Sequence, residues 1–447
     1  MVSTYQKMKS RLFGGHERTA LVNKNIFYSF FIKGASIVCQ FALIPLTLNY
    51  LDKTRFGIWL TLSSIIAWFS FFDIGIGNGL RNKLSEALSE NKITLARIYV
   101  STSYALVTII FVGIIGLFWL VNPFLNWADI LNTPAEMNLE LSKMALFVFS
   151  FFCIRFILVL IGNILFAYQK SALNNLINPL GNIVSLLIIY ILTITTSSSL
   201  LLVAVTFSVA PVAILVIFNV YFFYGPFKPI APSIRYVDFK HSRELLGLGF
   251  RFFIIQIAAL VLYSTANVVL IQLFGPDDVT MYNVAYKYFT VAQLVFGIVT
   301  ATYWSAFTEA FVKQEFDWIK DAIKRLENIT YLLIGGIIVS TVVADFVIRL
   351  WVGDSITIPF SMKLTTSLYA IIGLIAAPQH IFINGSGKIT LQLYAAIFSI
   401  VFTIPLAILF CKYLSFGPSG VIVAMMCTSI PTTILYRIQY NKIMNSV

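Results

Sequence analysis

Apolar runs long enough to cross a bilayer as helices recur from one end of this chain to the other, and this restricts the fold more than any other feature. Bounded by charges, Pro/Gly and Asn, they mark twelve spans at about residues 25–50, 56–80, 96–121, 141–167, 171–194, 199–223, 246–274, 280–308, 328–351, 358–383, 389–411 and 417–437. None shows the roughly ten-residue alternation of an outer-membrane barrel strand. With 59% hydrophobic and 11% charged residues, the chain has too little polar surface to dissolve as globular domains. The sequence predicts an all-α polytopic membrane protein. Lys and Arg concentrate in the loops that a cytoplasmic N-terminus places inside, and an even number of spans brings the C-terminus back to that side.

The polar residues exclude several classes of function. The net charge of +12 is spread over short loops and forms no separate basic domain with a recognition motif, so nucleic acid is not an expected partner. There is no P-loop, paired-Cys zinc spacing or HExxH, and His16, His241 and His380 are far apart. No enzyme, metal site or cofactor is expected, while coupling to H⁺ or Na⁺ stays open. Cys39, Cys153, Cys411 and Cys427 sit inside apolar runs and read as small hydrophobes. The first 23 residues lack the short apolar core and cleavage site of a signal peptide.

A polar segment at 225–245 divides the chain into a six-helix bundle at 1–224 and a second at 246–447. The halves repeat a pattern: Lys33 then Gln40 in the first opening span, Arg251 then Gln256 in the second, with Asp73 and Glu309 near the end of the following span. Residues 83–98 and 311–326 have the spacing of amphipathic helices lying on the inner leaflet. Trp59, Trp119, Trp127, Trp304 and Trp351 fall at or just outside predicted helix ends and read as interface anchors.

Charges inside the spans are the functional candidates, because each costs about 2.5 kcal/mol or more if left facing lipid. Lys33 lies about 12 Å into its span, Arg155 near the middle of the fourth, Arg251 near the inner end of the seventh and Lys287 in the outer part of the eighth. Snorkelling or fixed ion pairs are open for each: Arg251 to inner headgroups, Lys287 to outer ones or to Asp277 and Asp278, Lys33 to Asp73. A surplus of buried positive charge otherwise suits an anionic substrate, and arginine in particular bonds phosphate oxygens in pairs. Gln40, Gln256, Asn267, Gln272 and Asn283 can hydrogen-bond hydroxyls, or simply bond between helices. Pro45, with Gly75, Gly77 and Gly79, would let helices bend.

The entry Phe56-Gly57-Ile58-Trp59 to the second span and the exit Phe72-Asp73-Ile74-Gly75-Ile76-Gly77-Asn78-Gly79-Leu80-Arg81-Asn82 resemble the O-antigen and capsular polysaccharide flippases (Wzx type) of the multidrug/oligosaccharidyl-lipid/polysaccharide exporter superfamily. The resemblance covers the whole chain in architecture and this one segment in motif. It implies two six-helix bundles arranged as a V, with spans 1, 2, 7 and 8 lining a cavity that opens alternately to each side of the bacterial cytoplasmic (inner) membrane. It also implies transport of a polyprenyl (undecaprenyl) diphosphate-linked oligosaccharide for surface polysaccharide biosynthesis, with membrane lipids and other polysaccharide-assembly membrane proteins as partners. Lys33, Arg251 and Lys287 would then meet the diphosphate and Asp73 and Glu309 would act as gate or counter-ion, while Arg155 lies off the cavity helices. Ion-coupled multidrug exporters of the same superfamily bind cationic drugs through buried carboxylates, which a first span bearing Lys33 and no acid fits poorly. Lipid II flippases are a closer alternative, although many carry an extra C-terminal helix pair. A membrane scaffold or lipid-glycan polymerase is the remaining class, and the latter usually needs a large outer loop.

Overall fold

The computed structural model describes residues 17–69, 75–130, 134–352 and 357–445. The described residues are almost entirely helical. Contacts divide the chain after Gly249. Up to Gly249 run α1 (Glu17–Phe69), α2 (Ile76–Ser89), α3 (Ile93–Val121), α4 (Trp127–Ile130), α5 (Asn138–Leu158), α6 (Leu160–Ala167), α7 (Ser171–Thr195) and α8 (Leu200–Tyr224). The division falls inside α9 (Ser242–Leu273); α10 (Pro276–Val312), α11 (Phe316–Val342), α12 (Ala344–Val352), α13 (Phe360–Ser386), α14 (Thr390–Ile408) and α15 (Gly420–Asn445) complete the second unit. Among the described residues, nine helices are long and apolar enough to cross a membrane. The chain is a multi-pass membrane protein.

Helix α1 spans 53 residues, about 80 Å if straight, which is far more than a bilayer requires. Its contacts show that it is not straight. Asn25 bonds the Gln169 carbonyl (2.6 Å), Ser29 accepts from Asn175 (2.9 Å), and the Tyr50 hydroxyl reaches Thr196 and Ser197 (2.9 Å each). The helix therefore runs beside α7, in the same direction, as far as Tyr50. Trp59 then stacks on Phe207 with 5.2 Å between ring centroids, and Phe207 lies about 10 Å back along α8 from its start. A straight helix would carry Trp59 about 13 Å the other way, so the axis reverses between Tyr50 and Trp59. Arg55 fastens this bend by donating to the carbonyl and hydroxyl of Ser198 (2.8 and 2.9 Å). The expected reversal between spans 1 and 2 is thus a bend within helical structure. Neither Gly nor Pro occurs at 50–55 to end the helix.

The glycine stretch marks a true helix start. Gly75 has φ +68°, the left-handed region that favours glycine, and α2 begins at the next residue. Gly79 lies where a Cβ would come 2.7 Å from the Leu245 carbonyl oxygen and 3.2 Å from the Gly249 nitrogen, so α2 and the start of α9 touch through their backbones. This stretch packs tightly in the first unit, where bending had been expected. Asp73 lies outside the described residues.

Corresponding turns in the two units use the same device. Between α2 and α3, Asn91 adopts φ +58° while Lys92 N bonds Ala87 O (2.8 Å); between α10 and α11, Gln314 adopts φ +58° while Glu315 N bonds Ala310 O (2.9 Å). Both are Schellman closures, which satisfy the last carbonyls of a helix. The segments at 83–98 and 311–326 are therefore not single surface helices. Each spans such a turn, and the apolar face of the second (Trp318, Ile319, Ala322, Ile323, Leu326) is buried, with Trp318 against Tyr303 and Phe307. The spacing read as a lipid-facing stripe is a protein-facing one.

Residues following α8 are tied to the first unit. Ser101 Oγ accepts from Ser233 N and Thr102 Oγ1 from Asp238 N (both 3.1 Å), while the Arg97 guanidinium lies 4.1 Å over the Tyr236 ring. The Lys240 N–H, with the His241 ring, holds the Asp238 carboxyl below its ordinary value. Replacing Gly79 by alanine should destabilise the detergent-solubilised protein by about 1–3 kcal/mol through overpacking. Gly113→Ala, where the added carbon meets nothing within 4 Å, should not, and thermal unfolding of the two variants side by side checks this.

Candidate functional site

The bend in α1 brings Trp59 to Arg155. Trp59, Phe151, Phe152, Phe207, Ser208 and Arg155 line a cavity of about 160 Å³ walled by α1, α5 and α8. Trp59 is buried and held by its stack on Phe207. Pro211, also in the wall, cannot donate to the Phe207 carbonyl one helical turn back, so α8 carries an acceptor without its ladder partner here. Gly181 lets α7 approach this point, its hydrogen standing where a Cβ would be 3.2 Å from Pro211 Cα.

Arg155 projects from α5 with its side chain accessible, and Nη2 donates to Asn178 Oδ1 at 3.3 Å. Asn178 lies about 10 Å along α7 from its start, so the guanidinium is well inside the span. Among the described residues no carboxylate pairs with it. Five N–H donors with one long bond between them leave a positive group able to bind anionic oxygens, surrounded by aromatic faces that can stack on a ring or chain.

The other predicted residues are distributed over both units. Lys33 is exposed on α1 and Lys287 on α10, neither in an ion pair among the described residues; Asp277 and Asp278 do not pair with Lys287. Gln40 and Pro45 lie within α1. Arg251, exposed on α9, donates to Thr390 Oγ1 at 3.1 Å. Gln256 is half-buried, with an Oε1 that has no hydrogen-bond partner among the described residues. Asn283 donates across to Asn267 Oδ1 on α9 (2.7 Å), an interhelical bond, and back to the Val279 carbonyl of its own helix (2.8 Å). Glu309 pairs with Lys313 at 2.6 Å near the end of α10. Gly77 faces Asn163 of α6.

Sequence reasoning named Arg155 beside Lys33, Arg251 and Lys287 but missed its aromatic surroundings. Trp59 had read as an interface anchor, and Trp127 and Trp318 are likewise buried, while Trp119 and Trp351 are exposed as anchors should be. The signal available for Trp59 was its neighbour Gly57 and the motif around it, neither of which indicates what the ring touches.

Residues 22–307 match the profile of the polysaccharide biosynthesis protein family, well over half of the chain. The chain belongs to that family. The resemblance drawn from the Phe56–Trp59 entry and the Phe72–Asn82 exit is borne out at this level. Among curated relatives of this family member, a candidate O-antigen export protein of Yersinia pseudotuberculosis is 23% identical over 378 residues, covering 79% of this chain and 81% of that protein. A candidate O-antigen transporter of Salmonella typhi is 26% identical over 307 residues, covering 67% and 66%. Solved structures share the fold. An outward-facing multidrug resistance MATE family transporter of the MOP superfamily matches with TM-score 0.77 at 15% identity, over 98% of this chain and 99% of that one. A MOP superfamily transporter from Pyrococcus furiosus, described by the reverse polarity of its binding pocket, matches with TM-score 0.76 at 13% identity over 98% of each.

The cavity should be open to water-borne reagents. With the four native cysteines replaced by alanine, a cysteine at Ser208 should react with a methanethiosulfonate reagent at least about tenfold faster than one at Ser185, which is 1% exposed, because only a water-accessible thiol ionises readily. Rates followed by mass spectrometry test this.

Proposed function

We propose that this protein is a flippase that carries a polyprenyl (undecaprenyl) diphosphate-linked oligosaccharide from the inner to the outer leaflet of the bacterial cytoplasmic membrane by alternating access. Its N- and C-termini are cytoplasmic in this reading. The observation that carries it is Arg155, a guanidinium deep in a span, unpaired with any described carboxylate and lining a cavity with Trp59, Phe151, Phe152 and Phe207, in a member of a polysaccharide biosynthesis family. Such a charge is retained at a cost, and an anionic substrate gives it a use. The rings offer faces for a sugar or an isoprene unit.

In this reading the diphosphate is drawn from the inner leaflet toward Lys33, Arg251 and Arg155 and leaves past Lys287. Gln40, Gln256 and Asn283 contact glycan hydroxyls loosely, and Asp73 and Glu309 serve as counter-ions or gates. Bending at Pro45 accompanies the change of access, with Gly75, Gly77 and Gly79 holding the packed end against which α1 bends. No covalent bond changes, and the driving force is an ion gradient of H⁺ or Na⁺ or the consumption of the product outside. Other membrane proteins of polysaccharide assembly receive that product.

Complementation of a flippase-deficient strain tests the proposal. Arg155→Ala should lower surface glycan at least about tenfold, the loss expected for charge-assisted hydrogen bonds, while Arg155→Lys retains part of it. The double variant Lys33→Ala, Arg251→Ala should fail as well. Full export by both alanine variants at normal expression would contradict the proposal, and drug efflux with no effect on glycan would favour the multidrug reading.

A further inference from the structure

The second unit holds a pair of charges that the transport reading does not use. Glu327 on α11 stands at the start of an uncharged stretch that continues to Ala344, and Arg437 on α15 ends one that begins at Tyr413. Gln379 on α13 lies between them. The Gln379 Nε2 donates to Glu327 Oε1 at 2.9 Å, and Arg437 Nη1 donates to the same oxygen. Together they line a groove of about 340 Å³ whose other walls include the exposed side chains of Tyr331, Ile375 and Ile434. Apolar residues exposed on three membrane helices face hydrocarbon, so the groove opens sideways into lipid at the edge of the apolar belt, the level at which headgroups lie.

Both donors converge on one carboxylate oxygen. Glu327 Oε2 has no hydrogen-bond partner among the described residues, and Arg437 Nε and Nη2 have none either. One groove thus presents an unused anionic acceptor beside unused cationic donors. A purely anionic headgroup would satisfy the guanidinium and be repelled by Oε2. A headgroup with phosphate and a primary ammonium on neighbouring carbons satisfies both, because its ammonium also has N–H groups to donate.

We propose that the Glu327–Arg437–Gln379 groove is a binding site for phosphatidylethanolamine, with the phosphate on Arg437 and the ammonium on Glu327 Oε2. The lipid would sit against α11, α13 and α15, its chains over Ile375 and Ile434. This site is independent of the substrate path proposed above.

Native mass spectrometry of the full chain, titrated separately with dioleoyl phosphatidylethanolamine, phosphatidylglycerol and phosphatidylcholine, tests it. The wild type should bind phosphatidylethanolamine roughly tenfold more tightly than either of the others, as one hydrogen bond to a charged group would give. Phosphatidylcholine isolates the N–H requirement, because its ammonium carries none. Glu327→Gln should close the gap between phosphatidylethanolamine and phosphatidylcholine, and Arg437→Gln should weaken all three. Equal affinities in the wild type, or phosphatidylglycerol binding first, would overturn the site and leave the pair a tie between helices. The wild-type ranking decides the matter even if a variant fails to fold.

Discussion

A charged side chain in hydrocarbon must find water, a counter-charge or a ligand, and the cost of failing to do so governs where this chain can place its few polar groups. Most of its cations stay in the turns, where they close helix ends: Lys92 follows the left-handed residue of one Schellman turn and Lys313 precedes that of another. The exceptions are informative. Arg81, on the buried face of α2, lies 4.4 Å over the Phe166 ring, and Lys363 is buried against Asp345 at 2.6 Å. These charges have structural partners. Among the described residues Arg155 has a single bond, to a neutral amide, and a cavity in front of it.

The same constraint explains the fold. Backbone groups inside a bilayer must bond within their own segment, so the chain holds helix wherever it can, even through the reversal at 50–59. Apolar length was therefore legible in the sequence, and the helices follow it closely from α3 onward. The form of the reversal was not, because Arg55 looks the same in a loop and in a helix from which its side chain reaches a neighbouring turn. The amphipathic stretch at 311–326 had the right period and the wrong partner: a stripe of Trp318, Ile319 and Leu326 does not reveal whether lipid or Tyr303 and Phe307 will cover it.

The site was legible to a similar degree. Depth within an apolar run identified Arg155, since depth can be counted along a sequence. Phe151 and Phe152 precede it on α5 itself, but Trp59 and Phe207 come from α1 and α8, far away in the chain, and were joined to it only by the bend and by the close approach of Gly181 to Pro211. Glu327 and Arg437 were passed over for the opposite reason. Each sits where a span meets a charged segment, which is where unremarkable charges are found, and only their convergence on one oxygen sets them apart. Asp73 lies outside the described residues, while the glycines after it form a tightly packed helix start against α9.

Movement of a diphosphate-linked glycan between leaflets is the central claim, and reconstitution measures it without a cell. The purified chain would be placed in liposomes carrying an undecaprenyl diphosphate-linked oligosaccharide with a fluorescent label on the glycan, and the fraction exposed to a membrane-impermeant quencher followed in time. The account predicts that the exposed fraction moves from about half toward completeness on repeated quenching, and that it does so far more slowly with Arg155→Ala. Exposure indistinguishable from that of protein-free liposomes, under either an H⁺ or an Na⁺ gradient, would contradict it.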